Sequence, residues 1–206
     1  MPGKFSFPLP FLAILMLFLI ASCVGAPDKA QYVDPAFSER PLVILALLPI
    51  TYAAGYDQPI EEPRLSRDVR HYVRRELTKK GYRVILTGPH YARGMAELIS
   101  AEPARLAAMV EKEADGVVLI FVNFHAGIDF REYQAGEPFS YIDIYADARL
   151  ITRENPRDLW RDEGRGSDFA AGPFYGGSPS LSRAVANLAG NLFATLPAQN
   201  LQNLQK

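Results

Sequence analysis

The run PLVILALLPI, residues 41–50, constrains this chain more than any other stretch. It is apolar from end to end and too short for a buried helix. A run of that length without alternation reads as a strand covered on both faces, which places it inside a sheet. ADGVVLIFVNF, residues 114–124, repeats the signal. Two such strands require layers of helix on either side of the sheet, and the intervening sequence supplies them. Leu65, Val69, Tyr72, Val73 and Leu77 recur at helical spacing until Gly81 supplies a C-terminal stop. YRVIL, residues 82–86, is the next strand, and residues 103–113 read as a second helix opened by Pro103, with Leu106, Met109 and Val110 on one face.

The pattern then changes to strict alternation. Ile142, Ile144, Ala146, Ala148 and Leu150 interleave with Tyr141, Asp143, Tyr145, Asp147 and Arg149, the signature of a half-exposed strand. The turn Glu154-Asn155-Pro156-Arg157 leads into a returning antiparallel strand over 158–168. Leu181, Val185, Leu188, Leu192 and Leu196 form the stripe of a last helix, ended before Pro197. The expectation is a single α/β domain over 41–196, a mixed sheet of about five strands with three main helices in the order β-α-β-α-β-β-β-α. Residues 197–206 are a polar tail.

The front of the chain has a different character. Lys4 precedes an uncharged apolar stretch densest from Phe11 to Ala21, with Pro8 and Pro10 in its first turns. That is the pattern of a secretory signal and is too short for a membrane span, so residues 1–22 are expected to be removed. The one cysteine of the chain, Cys23, closes this stretch. Ile20-Ala21-Ser22-Cys23 resembles the bacterial lipobox. That resemblance implies a thioether-linked lipid on Cys23, cleavage before it, and a protein held on a membrane by its acyl chains. Val24 at the next position, in place of aspartate, favours the outer membrane. Residues 23–40, with Pro27 and Pro35, read as the lipidated terminus and a flexible tether.

Cleavage there leaves 184 residues of net charge −2, with the whole chain 49% apolar and 22% charged. This is enough apolar material for a core without disulfides, and the balance offers no support for general nucleic-acid binding. No cofactor is expected beyond the covalent lipid.

The string "LLP", a helix ending in "KKGYRV", the segment "EADGVVLIFV" and the pair "RLI…DLW" together resemble a group of periplasmic lipoprotein domains. The group includes the curli secretion channel protein CsgG, the penicillin-binding-protein activator LpoB and the amino-terminal domain of TolB. The resemblance implies an envelope scaffold or adaptor with a protein partner in the envelope and no enzymatic activity. This chain has no counterpart to the long membrane-inserting strands of the channel protein.

Chemistry-bearing residues are sparse. His71, His90 and His125 show no pair at metal-ligand spacing, and His71 is expected on a solvated helix edge. Asp143 and Asp147 share a strand face about 13 Å apart, wider than a glycosidase pair, with Arg149 as the compensating neighbour. Ser180 and Ser182 have no nucleophile elbow, and no phosphate-binding loop occurs. Trp160 is expected in the core. An envelope hydrolase, a metal-dependent enzyme or a small-ligand carrier therefore stands as the alternative, with a site assembled only in three dimensions.

Two features suit an interaction surface. GPFYGGSPS, residues 172–180, presents Phe174 and Tyr175 on a glycine-rich loop. Seven cations fall between Arg64 and Lys80 against Asp68 and Glu76, and Arg67, Arg70 and Arg74 are expected opposite the apolar stripe, open to solvent and to anionic partners.

Overall fold

The computed structural model describes residues 30–39, 42–52, 62–89, 96–129, 139–171 and 179–199. Among these residues seven strands form one mixed sheet: β1 (Tyr32–Val33), β2 (Ile44–Leu47), β3 (Thr51–Tyr52), β4 (Arg83–Leu86), β5 (Gly116–Asp129), β6 (Phe139–Thr152) and β7 (Asp158–Ala171). The helices are α1 (Glu62–Lys79), α2 (Pro103–Ala107) and α3 (Leu181–Leu192). The order across the sheet is β1-β7-β6-β5-β2-β4, with β3 also paired to β5. This is the expected α/β domain with two short strands added.

β2 runs parallel to both neighbours, β4 and β5, and residues 45–48 are fully buried. Because β4 and β5 flank β2 on opposite sides, two right-handed crossovers must pass over opposite faces of the sheet. The core is divided accordingly. On one face α1 and α3 cover Leu45, Leu47, Val118, Ile120, Ile144, Ala146, Ala148 and Leu150. On the other, the 3-10 turn Ala96–Ser100 and α2 cover Leu48, Val117, Leu119 and Ile151.

α1 buries Leu65, Val69, Val73 and Leu77 as its spacing predicts. Its end is a Schellman closure: Tyr82 N–H donates to the Leu77 carbonyl, Gly81 N–H to that of Thr78, and Gly81 takes φ +94°, the left-handed region that favours glycine. The second predicted helix is shorter than expected. It stops at Ala107, because the chain must turn to deliver Gly116 beside Leu45, and Met109 and Val110 pack on the minor core from that turn. Asp115 fixes the junction, its Oδ2 accepting from the N–H groups of Val43 (2.9 Å) and Ile44 (2.8 Å).

β5, β6 and β7 are an antiparallel meander, each 14 residues long. The predicted turn between β6 and β7 is present, with Asn155 at φ 49°. Trp160 is fully buried as expected, stacked on Phe193 with its Nε1 donating to Thr195 Oγ1 at 3.1 Å. α3 lies directly on β7 at two glycines. A Cβ on Gly164 would stand 2.7 Å from Leu192 Cα, and one on Gly166 only 2.1 Å from the Ala184 carbonyl oxygen. From that close seat, Asn187 and Asn191 donate through Nδ2 to the carbonyls of Ser167 (3.0 Å) and Arg165 (2.8 Å).

Part of the predicted tether belongs to the domain. β1 pairs with Arg161 and Trp160 of β7, Asp34 N–H donates to the Leu159 carbonyl, and Phe37 and Ala30 pack on the main core. Residues 30–39 read as linker because β1 and its 3-10 turn are too short to show any period.

Candidate functional site

The basic helix divides in two. Arg67 and Arg74 are exposed, as expected, and so are Arg64 and His71. Positions 64, 67, 71 and 74 fall on one narrow stripe of α1 about 15 Å long. Neither an ion pair nor a hydrogen bond ties Arg64, Arg67 or Arg74 side chains to the described residues. Arg75 and Lys79, by contrast, are both drawn to Glu76, Lys79 Nζ at 2.9 Å. Burial works against ionisation of Glu76, but the hydrogen bonds and charges of Lys79 and Arg75 outweigh it and hold the carboxyl below its ordinary range.

Arg70 departs from the expectation. It is 2% exposed, and its guanidinium donates to the carbonyls of Thr87 (3.2 Å), Gly88 (3.3 Å) and Pro89. Desolvation by burial lowers its pKa. Arg70 therefore holds the segment after β4 in place and is withdrawn from the surface. Arg64, one of the seven cations but not among the three expected on the exposed face, takes its place there. The signal was available, since Arg64 and His71 are seven residues apart.

The face of the meander turned away from α1 and α3 also differs from the half-exposed strand expected. Asp143 is buried and paired with Arg165 (Nη2 to Oδ2, 2.7 Å), whose guanidinium stacks over Tyr145. Arg149 does not compensate Asp143 and Asp147. It lies beneath the Ala96–Ser100 turn, donating to the carbonyls of Ile99 (2.7 Å) and Ala101 (3.0 Å) and pairing with Asp158 at 3.0 Å. Asp147 stands opposite Glu163 in the β6–β7 register, and burial first, then the Glu163 charge, raises its pKa. Tyr145 and Phe169 are exposed on the same face.

Around the β6–β7 turn an open depression of about 1010 Å³ is lined by Tyr32, Asp34, Glu102, Arg149, Arg157 and Asp158 among others. Its cations are committed: Arg157 to Asp34 at 3.2 Å, and Arg149 and Arg161 both to Asp158. The network fastens the N-terminal segment to the sheet. Burial opposes ionisation of Asp158, but hydrogen bonds from Arg161 and Arg149 prevail and hold it below the usual carboxylate range.

Cys23, His90, Phe174 and Tyr175 lie outside the described residues, as does the side chain of His125, whose backbone is in register with Asp143. Among the described residues no three His, Cys, Asp or Glu side chains gather as a metal site, and no helix is long and apolar enough to cross a membrane.

No family model matches the chain, and no curated protein matches it. Among solved structures it is similar to lipoprotein GNA1162 from Neisseria meningitidis, at 18% identity over 63% of this chain and 83% of the other, TM-score 0.39. It is also similar to the PelC dodecamer from Paraburkholderia phytofirmans, at 18% identity over 82% and 96%, TM-score 0.41. The hypothetical protein CT253 from Chlamydia trachomatis matches at 16% identity over 74% and 92%, TM-score 0.44. At these values the functional reading is drawn from the chain's own residues.

Proposed function

We propose that this chain is an outer-membrane lipoprotein, anchored through lipid on Cys23, whose domain acts in the periplasm as a non-enzymatic scaffold or adaptor for other envelope components. The observation that carries it is Ile20-Ala21-Ser22-Cys23, placed at the end of an apolar stretch that follows Lys4. An ordinary cleavage would leave a lone exposed thiol in an oxidising compartment; lipidation consumes it. The surface supports a binding role. Among the described residues Arg64, Arg67 and Arg74 on α1 are exposed without an ionic partner, whereas Asp34, Asp143 and Asp158 are each tied to arginine.

The test is labelled palmitate in growing cells, with fractionation of the two membranes. The wild type is expected to take up label and to sediment with outer membrane, and Cys23→Ala to do neither. Equal labelling of both would reject the reading. Cross-linking of the intact cell, followed by mass spectrometry, then identifies the partner.

A further inference from the structure

The domain begins closer to its anchor than the sequence suggests. Ala30 already packs on the main core, so seven peptide units separate it from Cys23. At full extension they span at most about 25 Å. A lipid-anchored domain on so short a lead is kept within about 25 Å of the bilayer, close enough for a cationic surface to dock on it.

Two observations select the surface. The exposed stripe Arg64, Arg67, Arg74 has no carboxylate partner among the described residues, and its layer-mate α3 carries no acidic residue at all. On the opposite sheet face Arg149, Arg161 and Arg165 are each tied to a carboxylate, while Asp147 and Glu163 stand side by side with no cation partner among the described residues. The lead is also long enough. Ala30 packs on the core that α1 and α3 cover, and a helix layer is about 10–12 Å thick, less than the full reach of the lead.

We infer that the Arg64–Arg67–Arg74 stripe docks on the phosphate-bearing surface of the membrane that holds the anchor, so that the domain lies with α1 toward the lipid and its carboxylate-bearing sheet face outward. This rests on lipidation of Cys23. The occupant is anionic phospholipid, favoured because the lead brings that surface within reach without any second protein. Arg70 takes no part, being spent on the carbonyls after β4.

The chain has one cysteine, so the lipidated protein has no free thiol and a reporter can be placed at will. Thr78→Cys lies on the docking side, where the native hydroxyl bonds only the Arg74 carbonyl, and Glu163→Cys on the far side. Full-length lipidated protein carrying a nitroxide at either site is reconstituted in phosphatidylcholine vesicles with and without phosphatidylglycerol. Flotation reports the anchor, and access of a water-soluble relaxation agent reports docking.

The protein is expected to float with both vesicles. Phosphatidylglycerol should shield position 78 and leave 163 open, and raised salt should reverse the shielding. Changing Arg64, Arg67 and Arg74 together to Gln should lower the docked-to-free ratio roughly 100-fold, since each arginine contributes about a fivefold factor, and changing them to Glu should lower it further. Equal access at position 78 in both vesicles, while flotation persists, would overturn the inference and leave the anchor standing. So would shielding that appears only when an acidic envelope protein is added. Failure to float with phosphatidylcholine would remove the anchor and the inference together.

Discussion

Replacing Arg70 by Met separates a surface role from a structural one. The methionine stem keeps most of the buried volume, so the change chiefly removes the guanidinium. That group reaches three carbonyls and has no carboxylate partner among the described residues, and its Nε makes no hydrogen bond there. Gly88 and Pro89 are exposed and their carbonyls can turn to water, whereas Thr87 is half-buried. A buried acceptor left without a donor costs about 1–3 kcal/mol, and charge-assisted bonds contribute about 1.5–3 kcal/mol each. Part of that is offset because a buried cation no longer has to be desolvated. The balance comes to about 2–3 kcal/mol. For a domain of this size it should lower Tm by about 5–10 °C. Arg67→Met, on the exposed stripe, should stay within about 0.5 kcal/mol of the wild type. Urea unfolding followed by tryptophan fluorescence of Trp160 measures both. Equal midpoints for the two variants would refute the division of the helix into a buried and a free arginine.

Four further outcomes are expected. Gly166→Ala should lower Tm far more than Gly190→Ala, because a Cβ at 166 overlaps the backbone of α3 whereas one at 190 meets nothing within 4 Å; thermal melts compare them directly. Ala148→Asp should prevent folding, since residue 148 is 1% exposed in the core and an unpaired buried carboxylate costs several kcal/mol, while Asp147→Asn should stabilise by about 0.2–1 kcal/mol at neutral pH, as for like charges across strands. The Asp147 gain should grow as pH rises through the carboxylate range, because a raised native pKa penalises the ionised form, and it should vanish in acid, where both states are protonated. Asp158 has the opposite sign: its lowered native pKa gives stability that is full above the ordinary carboxylate pKa and is lost as pH falls through the native value. Melts from neutral pH into acid should therefore show a shallower acid limb for Asp158→Asn than for the wild type.

The sequence was most informative where one period governed a whole element. The unbroken apolar run of β2, the stripe of α1, the alternation of β6 and the stripe of α3 each predicted a strand or helix and its buried side. The alternation of β6 named the face of Arg149 correctly but could not show that a turn forty-nine or more residues upstream would cover it. Arg70 was a different kind of miss. It lies seven residues before Leu77 and so only about 20° from it around the helix, on the apolar side. Counting cations hid that position, whereas the helical wheel displays it. Gly164 and Gly166 alternate along β7, a pattern that marks close backbone approach in a strand, but which element approaches is decided far along the chain. As for the candidate surface, the helix and two of its three arginines were legible, while the pairing that leaves those arginines free is a property of the folded ion pairs alone.

The two asparagine carboxamides of α3 on the rim of β7 bear on self-association. A strand rim with open carbonyls invites another chain to add itself to the sheet, and unfolding intermediates or crowded neighbours are the usual donors. Here the carbonyls of Arg165 and Ser167 are already taken, and the adjoining stretch at Trp160 and Arg161 is taken by β1. An invading strand would have to lift a helix that is seated on glycine. At Trp160, Arg161, Arg165 and Ser167 the rim is occupied from within the same chain, which works against sheet extension over that stretch.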